Sequence, residues 1–358
     1  MSIPATMSGV YLTHHGGPEA LEWRQDIPVP VVGPDDVLVK VLAAGVNNTD
    51  INTRIGWYAP EVTGATEEID QEVEAGGWGG ALSFPLIQGG DLCGEVVALG
   101  KDVEGFAVGQ RVTCPINQPR PTAENPVGFV ALGSEYNGAF AQYCVVAAQD
   151  LYDVTNSPLS DVEIAAIPCA FGTAAGLLHR AGVSADSHVL ITGASGGVGL
   201  AAVQLASKQG ARVTGISSPA KADAVIEAGA KATIDRSAAI PENSFTHVID
   251  LVAGDVFAAL IDALKPGGHY ATAGAIGGPM IAADLRRIYL RDITIHGCTY
   301  QAPETFGTLI DMVNAGDVRP HISKTYPLSH IHEAQEDFQS KRYPGKLVLR
   351  PWDEELAV

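Results

Sequence analysis

The sequence predicts an α/β fold in two parts, a doubly wound parallel sheet and a mostly β domain. Three observations carry this. Residues from about 160 to 297 alternate short apolar runs with helical stretches, the βαβ succession that builds a parallel sheet with right-handed crossovers. Within them, HVLITGASGGVGLAAVQLASKQ (188–209) runs from a strand through a glycine turn into a helix. The first 150 residues instead hold short strand candidates parted by Gly, Pro and Asp turns.

In the first part, Val37–Val41, Gly94–Ala98 and Arg111–Thr113 read as strands of a partly barrel-like β domain. In the second, Val189–Ile191 is an apolar, β-branched run suited to a buried parallel strand, and Val198–Gln209 reads as the helix that follows. A strand at Arg212–Ile216 leads to a helix over Lys221–Ala228, stopped by Gly229. Strands near Thr233 and at His247–Val252 come next. A helix over Val256–Leu264 ends before Pro266-Gly267-Gly268, and strands at His269–Ala273 and Ile293–His296 close the series. A helix at Ala302–Ala315 and a strand at Lys346–Arg350 finish the chain.

The glycine turn carries chemistry. Gly193, Gly196 and Gly199 recur every third residue; without Cβ atoms they permit a sharp turn and close approach to a phosphate. The free N–H groups and positive dipole end of the helix would face that phosphate, through Ser195, Gly197 and Val198. Strand, glycines and helix in this order point to a dinucleotide rather than to a bare turn.

Composition sets bounds. A chain of 358 residues exceeds one ordinary core, so two domains are expected. With 22 Lys and Arg against 41 Asp and Glu, the net charge is −19. Such a surface repels phosphate backbones and anionic lipid, so no nucleic acid or membrane partner is expected. No run of about 18 apolar residues exists to span a bilayer, and MSIPATMSGVYL lacks the basic and apolar pattern of a signal peptide. Cys93, Cys114, Cys144, Cys169 and Cys298 are odd in number and form no C-x-x-C pair, as expected of reduced thiols in a cytoplasmic protein.

Trp57 to Pro85 stands apart, with six acids and no Lys or Arg. Thr66 reads as the cap of a short helix opening with Glu67 and Glu68 and stopping at Gly76. A solvated insertion, an active-site lid and a dimer contact remain open readings.

Four segments carry a resemblance. GVYLTHHGGPEALEWRQDIPVPVVGPDDVLVKVLAAGVN, GASGGVGLAAVQLASKQGARV, LKPGGHYATAGAIGGP and YPLSHIHEAQEDFQSKRYPGKLVL together resemble the medium-chain dehydrogenase/reductase superfamily, in its quinone oxidoreductase and enoyl reductase branches. The resemblance implies a GroES-like catalytic domain over 1–158 and 299–358, a Rossmann NADP-binding domain over 159–298, and a substrate cleft between them. It also implies a homodimer, which Ile293–His296 would form by edge-to-edge pairing.

The alcohol dehydrogenases of this superfamily hold a catalytic zinc by Cys, His and Cys. The matching positions here are Asn47, Gly90 and Cys169, and one thiolate cannot hold the metal. Cys114–Gly138 keeps one cysteine of the four in the family's structural zinc lobe. No metal is expected.

An NAD site usually places an acid about 20 residues beyond the glycines to bind the ribose. Here the second strand ends Gly215-Ile216-Ser217-Ser218, with Lys221 beyond, a pattern that favours NADPH over NADH. Resemblance adds Gly274, Ala275, Ile276, Thr299 and Lys346 near the cofactor.

Without zinc, another group must deliver a proton or steady an oxyanion. Superfamily enoyl reductases use a tyrosine after N-P-S-D-x-N-x-x-x-G-x-Y; Asn47, Asp50, Asn52, Gly56 and Tyr58 match that pattern here. Tyr58 is the candidate acid, assisted by Asn52, Thr49 and Asn47, and Asp50 orients the GVNNTD loop. The leading expectation is a zinc-independent, NADPH-dependent reductase of small-molecule quinones or α,β-unsaturated carbonyls. An alcohol dehydrogenase of zinc-type lineage and a non-catalytic, crystallin-like NADPH binder remain the alternatives.

Overall fold

A computed structural model describes residues 3–66 and 76–353. The helix read after Thr66 falls on residues outside that description. The chain divides into two compact units, one of Met1–Pro60, Gln71–Cys169 and Tyr300–Val358, the other of Glu61–Asp70 and Ala170–Thr299.

The first unit opens with β1 (Thr6–Leu12), β2 (Leu21–Pro28), β3 (Asp36–Gly45), α1 (Asn48–Ile55), β4 (Leu86–Ile87), β5 (Cys93–Leu99) and β6 (Arg111–Thr113). It continues with β7 (Asn117–Pro119), β8 (Phe129–Ala131), β9 (Tyr143–Ala147), β10 (Tyr152–Asp153), α2 (Asp161–Ile164) and the start of α3 (Pro168–Ala181). The second unit carries β11 (His188–Ile191), α4 (Gly197–Lys208), β12 (Arg212–Ser217), α5 (Ala222–Glu227), β13 (Ala232–Asp235), β14 (Phe245–Asp250), α6 (Phe257–Ala263), β15 (Leu264–Thr272), α7 (Leu285–Tyr289) and β16 (Thr294–Gly297). The chain then returns to the first unit with α8 (Pro303–Ala315), β17 (Ile322–Pro327), α9 (Ile331–Gln339) and β18 (Lys346–Arg350).

In the first unit β3 is the axis. It pairs antiparallel with β5, β9 and β18, which places Val37, Leu38, Val39 and Val41 in the core from both faces. The late strand β18 thereby lands beside Gly45, bringing Lys346 next to the β3–α1 junction. GVNNTD, read above as a loop, spans the end of β3 at Gly45, a two-residue junction at Val46-Asn47 and the first turn of α1 from Asn48. Asp50 Oδ2 accepts the Asn47 N–H at 2.8 Å, and Gly56, at φ 73°, ends the helix in the left-handed region.

In the second unit the strands run in the order β13-β12-β11-β14-β15-β16, all parallel. This order reverses between β11 and β14, the switch point of a doubly wound sheet. One expected boundary moves. β15 begins at Leu264 and runs through Pro266-Gly267-Gly268; its pairing with β14 passes from Phe245–Leu264 directly to His247–His269, so residues 265–268 bulge out and the proline needs no ladder N–H. All five cysteines are buried free thiols.

Candidate active site

In the first unit, three distant segments converge on one carboxylate. Asp91 Oδ2 accepts the Asn47 amide at 2.9 Å and the Lys346 ammonium at 2.7 Å, while its Oδ1 accepts the Cys169 N–H at 2.6 Å. Lys346 also donates to Asn47 Oδ1 at 2.5 Å and to Val46 O at 3.1 Å. All three side chains are buried. A buried ion pair is tolerated only when its remaining donors and acceptors are satisfied, and here they are. Lys346 thus places its three donors inside this network, and Asn47 is engaged at both ends of its amide.

Next to the network stand the protic groups. Burial pushes the Cys169 thiol up to about 12, so it is a neutral neighbour. The Thr49 Oγ1 is buried with only that weak sulfur partner. Tyr58 is half-buried, and desolvation lifts its phenol well above the ordinary tyrosine range, so it stays protonated. A hydrogen bond with Asn52 works in the opposite sense, as an amide N–H donating to the phenol oxygen does. The Asn52 Oδ1 is meanwhile occupied by Asn48 Nδ2 at 3.1 Å. Asp50 is fully buried, and desolvation raises its carboxyl from 3.8 to about 7 against the pull of the Asn47 N–H. The structure thus brings Asn47, Thr49, Asn52 and Tyr58 onto α1 and its exit, with Cys169 at the start of α3.

In the second unit, the C-terminal ends of the parallel strands form one edge. Gly193 leaves β11 at φ 56°. A Cβ on Gly199 would lie 2.2 Å from Gly193 O, so only glycine lets α4 pack on the turn. Gly196 differs: its backbone is extended and a Cβ would meet its nearest atom, Gly193 O, at 3.5 Å, an ordinary contact. Gly196 is the N-cap, its N–H donated to Gly193 O at 3.0 Å, and Gly197 and Val198 open the first turn, whose N–H groups have no partner within the helix. Asp250 ties this edge, accepting Thr192 Oγ1 at 2.6 Å and the Tyr270 hydroxyl at 2.5 Å. Gly274, Ala275 and Ile276 follow β15 on the same edge, and Thr299 ends the unit.

At the end of β12 the Ser217 Oγ is buried and unpartnered. Ser218 and Lys221 follow, and Arg236, unnoticed in the sequence, donates its backbone N–H to Ser217 O; partial burial lowers the Lys221 ammonium, and the Arg236 charge adds to that. Asp235 pairs with Ser217 in register, but its Oδ1 accepts from Ser237 N and Oγ.

A model of the alcohol dehydrogenase GroES-like domain matches residues 33–156, and one of the zinc-binding dehydrogenase family matches residues 197–315. A solved Sinorhizobium meliloti protein, provisionally described as an alcohol dehydrogenase, is 35% identical, covers 97% of each chain and has a TM-score of 0.87. The chain belongs to the medium-chain dehydrogenase/reductase superfamily. Human quinone oxidoreductase is 27% identical over 96% of this chain and 97% of its own. Acryloyl-coenzyme A reductase of Sulfurisphaera tokodaii is 26% identical over 94% and 98%. The relatives are oxidoreductases, and the superfamily binds nicotinamide cofactors.

As a member of that superfamily the chain departs from the zinc pattern. The Lys346 ammonium occupies Asn47 Oδ1, the only side-chain acceptor at the first ligand position. At the second, a Cβ on Gly90 would sit 2.2 Å from Ile116 Cδ1. These residues do not fit zinc, and no group of three or more His, Cys, Asp or Glu is arranged for a metal among the described residues. The dinucleotide fits: the orphaned Ser217 Oγ is what an absent ribose would partner, and the glycine-lined start of α4 offers its first N–H groups to a pyrophosphate.

Proposed function

We propose that this protein is a zinc-independent, NADPH-dependent reductase of quinones or α,β-unsaturated carbonyls. The single observation that carries the reading is the Asn47–Asp91–Lys346 network, which takes up the side chain at the first of the superfamily's metal-ligand positions, beside a protonated Tyr58. Gly193, Ser195, Gly196, Gly197, Val198 and Gly199 would hold the pyrophosphate, and Gly274, Ala275, Ile276 and Thr299 would lie by the nicotinamide. NADPH, when bound, supplies a hydride. The chain's own residues handle the proton. The Tyr58 O–H bond breaks, its proton passes to the substrate atom that has gained the electron pair, and the phenolate recovers a proton from water. Thr49 offers a buried hydroxyl to the developing oxyanion, and Asn52 steadies the phenol oxygen.

Ser217, Ser218, Lys221 and Arg236 supply hydroxyls and positive charge for the additional phosphate of NADPH, which supports it over NADH. A homodimer is also proposed. β16 pairs on one side only, with β15, and Ile295, Leu285, Tyr289 and Leu290 are exposed nearby in sequence, which suits burial by a second copy. NADPH oxidation against a panel of quinones, enals, enones and simple ketones, with NADH alongside, tests the reading. Turnover of quinones or enones with NADPH is expected; turnover of ketones or aldehydes alone would overturn it.

A further inference from the structure

The insertion that follows Tyr58 has no part in the scheme above, yet its return is tightly fixed. Gly76 packs backbone to backbone on Gly56, the residue that caps α1: a Cβ on Gly76 would lie 2.2 Å from Gly56 Cα. From there Gly77 and Gly80 exchange backbone hydrogen bonds at 2.9 and 3.3 Å, closing a two-residue turn whose tip is Trp78-Gly79. Glu135 clamps that tip, one oxygen accepting Gly79 N–H at 2.8 Å and the other Ala131 N–H at 2.7 Å. The clamped turn lays Trp78 on Tyr58, ring centroids 5.4 Å apart and planes 26° from parallel. Trp57 meets Tyr58 edge-on at 5.5 Å, and Phe129 meets Trp78 edge-on at 5.8 Å. Such contacts hold a ring in one orientation and strip water from it.

We propose that Trp78, fixed by the Gly56–Gly76 contact and the Glu135 clamp, is the positioning residue for the Tyr58 proton donor. The inference rests on the reading of Tyr58 as acid. The Asn52 amide holds the Tyr58 oxygen, and the stacked Trp78 ring fixes the plane of the phenol. The proton still leaves from the Tyr58 O–H; Trp78 exchanges none and acts by geometry and desolvation. With Trp57 it also screens the phenol from water, and the charges facing that phenol are Asp50 and Glu135. The described return of the insertion, Gly76 to Gly80, is then a brace built against the end of α1.

The test is a double-mutant cycle on the full-length enzyme. Tyr58→Phe is expected to lower kcat about 100-fold. Trp78→Ala should lower kcat about tenfold with KM changed less than about twofold, while Trp78→Phe, which keeps a ring to stack, restores most of the rate. In the Tyr58→Phe background Trp78→Ala should change kcat less than about twofold. A second readout needs no turnover. The phenolate absorbance of Tyr58, taken as the difference between parent and Tyr58→Phe during alkaline titration, should shift down by about one pH unit or more when Trp78 is Ala. Equal kcat losses in both backgrounds, or an unmoved titration, would overturn the proposal. Undiminished kcat in Tyr58→Phe would instead overturn the acid reading, and the titration would still decide whether Trp78 sets the phenol's surroundings.

Discussion

Lys346 and Asp91 are separated by 255 positions in sequence yet share a 2.7 Å ion pair from which water is excluded. Removing one partner of such a pair leaves the other charged and stranded. Lys346→Ala should cost about 3–5 kcal/mol, read by denaturant unfolding, whereas Lys346→Arg should recover part of it. Asp50 gives a pH signature of its own. Its carboxyl titrates at about 7 folded and at 3.8 when exposed, so between those values the folded chain holds the extra proton. Stability attributable to Asp50 therefore falls as pH rises through that window, by up to about 1.4 kcal/mol per pH unit. Asp50→Asn should flatten this part of the stability–pH curve, and an unchanged slope would contradict it. At this scale the sequence is informative about vacancies and silent about what fills them. Asn47 and Gly90 are recognisably not zinc ligands as letters, but that Lys346 fills the gap depends on the β3–β18 register, a contact no local pattern encodes.

The glycine turn makes two elements behave differently under the same change. Gly199→Ala drives a Cβ into Gly193 O and should destabilise the second unit by about 1–3 kcal/mol. Gly196→Ala has room, so stability should stay within about 0.5 kcal/mol while NADPH binding, followed by nucleotide fluorescence, weakens about tenfold or more. Element types in the second unit were legible because apolar strands, glycine turns and helices alternate there. α1 was not: NTDINTRI is eight mostly polar residues with no apolar stripe, and only its Asn47–Asp50 cap and Gly56 stop identify it. Trp78 escaped for a similar reason. A Gly-Gly-Trp-Gly-Gly run reads as a surface excursion until Gly76 is seen against Gly56 and Gly79 against Glu135.

For the molecule as a whole, two compact units and a net charge of −19 frame the chemistry. In so acidic a protein, Lys221 beyond β12 and Arg236 beyond β13 bring two positive charges near one another. Replacing both with Ala should raise KM for NADPH about tenfold or more and leave KM for NADH nearly unchanged; equal effects on the two would remove the case for NADPH. The homodimer is checked by solution mass at micromolar concentration, where a monomer would contradict it. No helix among the described residues is long and apolar enough to cross a membrane. The central claim is that hydride transfer here proceeds without zinc. Its most direct test is NADPH-dependent reduction of a quinone or enone by enzyme dialysed against chelator, with metal content measured by mass spectrometry on the same sample. The account predicts full activity with zinc far below one equivalent per chain. Activity lost on chelation and restored by added zinc would contradict it.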